Sequence, residues 1–181
     1  MPDTIFGLPL HPFAVHVPVV LVPLLALAIA GYVLVPKVRR QLGWVLIALA
    51  VAAVPAVYVA RESGERLAAE NLARLSGTPD ARRQAAKAID NHSQYADILI
   101  WLVVVAAILV LVYTAIVSGR LAALATSRSW DGVAAWAGGG GGRARTVVVI
   151  VSGVVLLGLA VAMAYVVIRA GHTGATMAWG Q

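Results

Sequence analysis

Residues 96–117 read ADILIWLVVVAAILVLVYTAIV, with Asp97 at one edge and no other charge in the stretch. A helix crosses the hydrocarbon core of a bilayer with about 20 apolar residues. Barrel strands alternate apolar and polar positions, whereas this run is apolar on every face. The stretch is therefore a membrane-crossing helix, and three others pass the same test: 13–35, 42–60 and 147–168. Composition agrees. Of 181 residues, 61% are hydrophobic and 12% charged, against about 25% charged in a soluble domain; the mean hydropathy is +0.87. A water-soluble domain and a disordered chain are both excluded. The absence of Cys removes disulfide scaffolds, Cys-zinc sites, thiolate nucleophiles, Cys-ligated iron–sulfur clusters and covalent c-type haem. The expected fold is all-α: a four-transmembrane-helix bundle forming one integral-membrane domain over residues 1–181.

The opening MPDTIFGLPLHPF holds no Lys or Arg before its apolar run, and no small-residue cleavage site follows that run. Span one is accordingly read as a mature helix and not as a signal peptide. Four spans place both termini on one side. The opposite side carries Lys37, Arg39, Arg40, Arg120, Arg128, Arg143 and Arg145 against Asp131 alone. The terminal side also holds seven bases, but seven acids balance them, so the formal +6 belongs to the first side. Raw counts of Lys and Arg tie, and the crowding of three bases into the short loop 36–41 breaks the tie. The expectation is termini outside and loops one and three in the cytoplasm. The basic balance is then an inner-leaflet signal, with the lipid bilayer as partner and no nucleic acid.

Loop two, 61–95, reads as helix. Ala81, Ala85, Ala88, Ile89, His92, Ala96 and Leu99 recur at three- and four-residue spacing and run into span three without a break. Thr78 suits an N-cap and Pro79 a first helical position. Leu67, Ala68, Leu72 and Leu75 form a matching stripe before Ser76-Gly77, and Ser63-Gly64 marks a point where that helix could bend. Helices two and three are thus expected to extend beyond the outer leaflet as a hairpin turning at 76–78, reaching roughly 22 Å for about 15 residues. In loop three, Leu121, Leu124, Trp130, Val133 and Trp136 read as an interfacial segment, and Gly138–Gly142 as a flexible tether with no phosphate-loop context.

The four histidines, His11, His16, His92 and His172, all map to the terminal face. His11 precedes Pro12 and is expected in a non-helical place at the headgroups. His16 lies about one turn inside span one, and a five-residue step rotates about 140°, so the two should not share a face. His16, His92 and His172 come from three helices and can converge, as a site inside a bundle requires. Pro18 and Pro23 free the carbonyls of Ala14 and Val19 below His16. Facing imidazoles suit haem b, with Arg61 and Arg169 placed for the propionates and His11 or His172 as further contacts. Zinc or copper is the alternative, with Glu62 or Glu65 as oxygen ligand to the imidazoles. Stand-alone catalysis has little support, since adjacent helical residues such as His92 and Ser93 point about 100° apart. Asp97, the one acid at span depth, is expected to bond Tyr95 or water.

HPFAVHVP at the start of span one, a histidine before span three, and the ending GHTGATMAWG resemble a domain-of-unknown-function family of small bacterial four-helix membrane proteins. The resemblance implies a prokaryotic inner membrane and, because some relatives adjoin or are fused to c-type cytochrome modules, redox work. Three functions stand on this reading. The first is a b-type cytochrome or haem-binding electron-transfer subunit. The second is a non-catalytic accessory subunit of a larger membrane complex, docking through the hairpin, alone or as a homo-oligomer. The third is a histidine-based metal-ion site. The topology has a direct test: alkaline phosphatase fused after Gln181 is expected to be active in a bacterial host, and an inactive fusion inverts the orientation.

Overall fold

Thr78 and Pro79 open the longest helix as expected: the Thr78 hydroxyl accepts a hydrogen bond from Ala81 N at 3.3 Å, and Pro79 occupies the first turn, where its missing N–H costs nothing. The computed structural model describes residues 4–119 and 142–179. Within them the order is β1 (Thr4–Ile5), β2 (Leu8–Pro9), α1 (Leu10–Ala14), α2 (His16–Leu34), α3 (Arg39–Arg74), α4 (Pro79–Val117) and α5 (Gly142–Trp179), with a 3-10 turn at Pro36–Val38. Four helical stretches are long and apolar enough to cross a membrane: Leu10–Leu34, Pro36–Arg74, Pro79–Val117 and Gly142–Met177. The all-α four-helix bundle follows.

The bundle closes because α2 packs on α3, α3 on α4, α4 on α5, and α5 back on α2. The inward seams are Val22, Leu25, Ile29 and Tyr32; Leu46, Ala50, Ala53 and Val57; Leu99, Val103, Ala106 and Val110; and Leu156, Ala160, Met163 and Val167. All four alternate steps of three and four, the spacing that keeps one face of a slightly supercoiled helix against its neighbours. Outward positions such as Leu27, Trp101, Val161 and Ile168 are equally apolar and stay exposed. In lipid both faces are hydrophobic, so fit selects the seam, and small residues such as Ala50, Ala53, Ala106 and Ala160 let the backbones approach. Tyr32 and Tyr113 meet edge to face at 6.0 Å.

Two helix ends are finished by arginines from the next helix. Pro36 stops α2, and Arg39 turns back to donate from Nε to Tyr32 O at 2.9 Å and from Nη2 to Val33 O at 3.0 Å. Its guanidinium also lies over the Tyr32 ring, 5.9 Å from the centroid. Arg145 of α5 likewise donates to Ile116 O, near the end of α4, at 2.9 Å. Carbonyls at helix ends lack intrahelical donors, and basic side chains supply them.

Four features depart from the sequence reading. The chain begins with a small hairpin in which Thr4 pairs with Pro9 and Ile5 with Leu8. Phe6 and Gly7 take φ of 52° and 78° at its turn, the paired positive angles a two-residue hairpin favours. α3 passes Ser63-Gly64 without stopping. α5 continues past Ile168 to Trp179, so Gly171, His172 and Gly174 are helical, where Thr173 and Thr176 bond their hydroxyls to carbonyls of the preceding turn. Gly142, read as part of a tether, opens α5; the interfacial segment and the remaining tether glycines lie outside the described residues.

Gly153 tests the closure of α5 on α2. A Cβ there would stand 3.2 Å from Val33 Cγ1 and 3.4 Å from Tyr113 Oη, whereas one at Gly158 would meet nothing within 4 Å. Gly153→Leu is expected to destabilise the bundle by about 1–3 kcal/mol through overpacking, and Gly158→Leu to leave it nearly unchanged. Unfolding in detergent followed by circular dichroism measures both, and equal midpoints for the two variants would contradict the packing.

Candidate functional site

Helical phase places the first histidine. Pro18 lacks an N–H, so the carbonyl of Ala14 loses its helical donor, but Val15 keeps helical angles, and the bonds from Val15 N to His11 O and from Val19 N to Val15 O carry the helix across the joint between α1 and α2. His11, Ala14, Pro18, Val22 and Leu25 therefore share one face at steps of three and four, and α1 lies on α3. There His11 Nδ1 donates to Ala60 O at 3.0 Å, with Ser63 Oγ at 3.3 Å. The ring rests on Gly64, where a Cβ would be 2.8 Å from His11 Cε1. A side chain at 64 would displace the imidazole, so this glycine serves close approach.

His92 comes from the opposite side. It sits seven residues before Leu99, on the inward seam of α4. Its Nδ1 is 3.0 Å from Thr173 Oγ1. That hydroxyl also lies 3.0 and 3.1 Å from Arg169 O and Ala170 O, and the His92 ring bonds the Ala170 carbonyl as well. The ring rests on Gly174, where a Cβ would stand 3.1 Å from His92 Cε1.

The two imidazoles meet with centroids 6.3 Å apart and planes at 85°. Both are half-buried. A carbonyl can only accept, so Ala60 O assigns the proton of His11 to Nδ1, whereas His92 has both Thr173 Oγ1 and Ala170 O as partners. Nε2 of His11 is left with an open lone pair and no hydrogen bond among the described residues. A histidine fixed by its Nδ1–H to a backbone or hydroxyl oxygen, with Nε2 unoccupied, has the arrangement of a metal-ligating imidazole. Chemically the pair offers two neutral nitrogen donors, or an acceptor site for one shared proton.

The other candidates lie apart from this pair. His16 is exposed, with Nδ1 2.6 Å from Pro12 O in its own helical turn. His172 is exposed on α5. Of the three residues expected to converge, only His92 reaches the seam, and its neighbour is His11. The sequence argument placed His11 outside the helix because of Pro12; it is helical, and its steps of three, four and four to Ala14, Pro18 and Val22 put it on the inward face. That spacing was the signal. Arg61 pairs with Asp97 at 2.6 Å and Glu65 at 2.7 Å, and Glu62 with Arg66 at 3.5 Å. Asp97 thus takes Arg61 in place of the expected Tyr95 or water. Arg169 lies over Tyr95, 5.8 Å from the ring centroid, and donates to its hydroxyl at 3.3–3.4 Å. No group of three or more His, Asp or Glu side chains able to hold a bare metal ion occurs among the described residues. Comparison with family models, curated proteins and solved structures finds no match to this chain.

Since the chain has no Cys, introduced pairs report cleanly on the geometry. His11→Cys with His92→Cys is expected to be bridged by a short bifunctional thiol reagent, holding the fragments together after proteolysis between the two positions. His16→Cys with His92→Cys is expected to stay unbridged, and equal bridging of both pairs would contradict the inward placement of His11.

Proposed function

We propose that the protein is a membrane b-type cytochrome, a haem-binding electron-transfer subunit, whose axial ligands are His11 and His92. The observation that carries this reading is the pair itself: two half-buried imidazoles on separate helices that face one another, each held by a bond to a neighbouring helix. Two imidazoles either side of one metal ion, at metal–nitrogen distances of about 2.0–2.1 Å, have centroids roughly 6 Å apart, and the separation here is 6.3 Å. The donor chemistry fits haem b, which takes neutral imidazole and needs no Cys. Bare zinc or copper fits less well, because such ions want three or four donors and the nearby glutamates are engaged with arginines.

When bound, haem supplies one-electron transfer. The chain's part is to hold the donors. Ala60 O and Ser63 fix the His11 ring, Thr173 fixes the His92 ring, and Gly64 and Gly174 keep both flanks open. Arg169, with no carboxylate at ion-pair distance among the described residues, is the cation for a propionate; Arg61 is already matched by Asp97 and Glu65. In this reading the histidine end faces outward from a bacterial inner membrane, and the α3–α4 hairpin meets a c-type cytochrome or other membrane subunit.

Purified protein reconstituted with haem is expected to give a Soret band and, on reduction, sharp α and β bands. His11→Ala and His92→Ala should each abolish the low-spin spectrum, and His16→Ala and His172→Ala should preserve it. A colourless wild type overturns the function; a spectrum that survives His11→Ala and fails in His16→Ala overturns the ligand assignment.

A further inference from the structure

At the end of the bundle away from the histidines, α2, α3 and α4 part to leave a cleft of about 970 Å³. Its character changes along its length. Arg39 and Arg40, in the first turn of α3, line one end, and Trp44, Ile47 and Val51 carry the same wall onward as apolar surface. From Arg40 to Val51 the wall spans eleven residues, about 16 Å of helix, close to one leaflet's share of the roughly 30 Å hydrocarbon core. Trp44 is 72% exposed, an amphipathic ring at the depth where headgroups meet acyl chains.

Among the described residues the charge at this end has no counterpart. Lys37, Arg39, Arg40, Arg143 and Arg145 gather there, while every carboxylate among the described residues lies between 62 and 97, where all their ion pairs also form. Arg40 has no hydrogen bond or ion pair among the described residues. Arg145 Nε is buried without a hydrogen-bond partner, the one such side-chain atom among the described residues. Arg39 commits Nε and one Nη2 donor to helix-end carbonyls, leaving the rest of its five-donor fork free.

We propose that this cleft binds an anionic phospholipid, with its phosphate at Arg39 and Arg40 and an acyl chain along Trp44, Ile47 and Val51. A free phosphate would leave the apolar wall uncovered. A zwitterionic headgroup would bring a cation to an end that offers it no carboxylate among the described residues. Basic clefts between membrane helices take anionic headgroups for this reason.

Native mass spectrometry of the full-length protein, released from micelles containing equal phosphatidylglycerol and phosphatidylcholine, tests the assignment. Wild type is expected to retain phosphatidylglycerol in preference. Arg40→Gln should reduce that preference about fivefold, the effect of one base near an anionic headgroup, and Trp44→Ala should reduce retention. Lys87→Gln, on the exposed surface at the other end, should change neither. Excess inorganic phosphate should leave the lipid adduct in place. Equal retention of both lipids, an unaltered preference in Arg40→Gln, or displacement by inorganic phosphate would each overturn the site. Unaltered retention in Trp44→Ala would overturn the acyl-chain placement.

Discussion

A peptide carbonyl without a donor costs several kcal/mol in hydrocarbon, and where α2 ends Arg39 meets that constraint by covering the carbonyls of Tyr32 and Val33. Side chains from neighbouring elements add a further donor to two carbonyls already bonded, Arg145 to Ile116 O beside Gly119 N and His11 to Ala60 O within α3. Each bond also fixes an approach between elements: the elbow from α2 into α3, the seating of α5 against α4, and the docking of α1 on α3. The histidine pair rests on one such bond: the helix runs on through Val15, so His11 keeps the inward phase of Val22 and Leu25 and reaches a carbonyl on α3.

The membrane crossings, the Thr78-Pro79 start and the continuous stripe from Ala81 into span three were legible because length, capping chemistry and periodicity each act locally. His92 was legible for the same reason, as a polar residue on an inward stripe. His11 was not, because Pro12 argued for a non-helical place and the three- and four-residue spacing from His11 through Ala14 and Pro18 to Val22 went unread. Gly64 was misread too: a glycine beside a Ser in sequence looks like a weakness, and only the ring lying on it shows that space was needed there. The inward seams were equally hidden, since in a bilayer both sides of a helix are apolar and shape selects between them.

The two ends of the bundle handle charge differently. Between 61 and 97 the bases and acids pair locally: Arg66 with Glu62, Arg74 with Glu70 and Arg83 with Asp80, each within one helical turn, while Arg61 spans from α3 to Asp97 on α4. Such exposed pairs contribute little stability individually, about 0–1 kcal/mol. Their effect is to leave that end nearly neutral and suited to an aqueous surface. At the other end the arginines are turned to carbonyls and to the cleft, and no carboxylate among the described residues compensates the surrounding charge.

α3 and α4 run unbroken for 36 and 39 residues, so each behaves mechanically as a single stiff rod. His92 lies about 20 Å along α4 from Pro79, with roughly twice that length beyond it. Beyond His92, α4 is clamped on its neighbours at Leu99, Val103, Ala106 and Val110, whereas the stretch from Pro79 to His92 is not. A sideways load at the 76–78 turn is therefore absorbed as bending of the unclamped stretch, and the packed half stays in place.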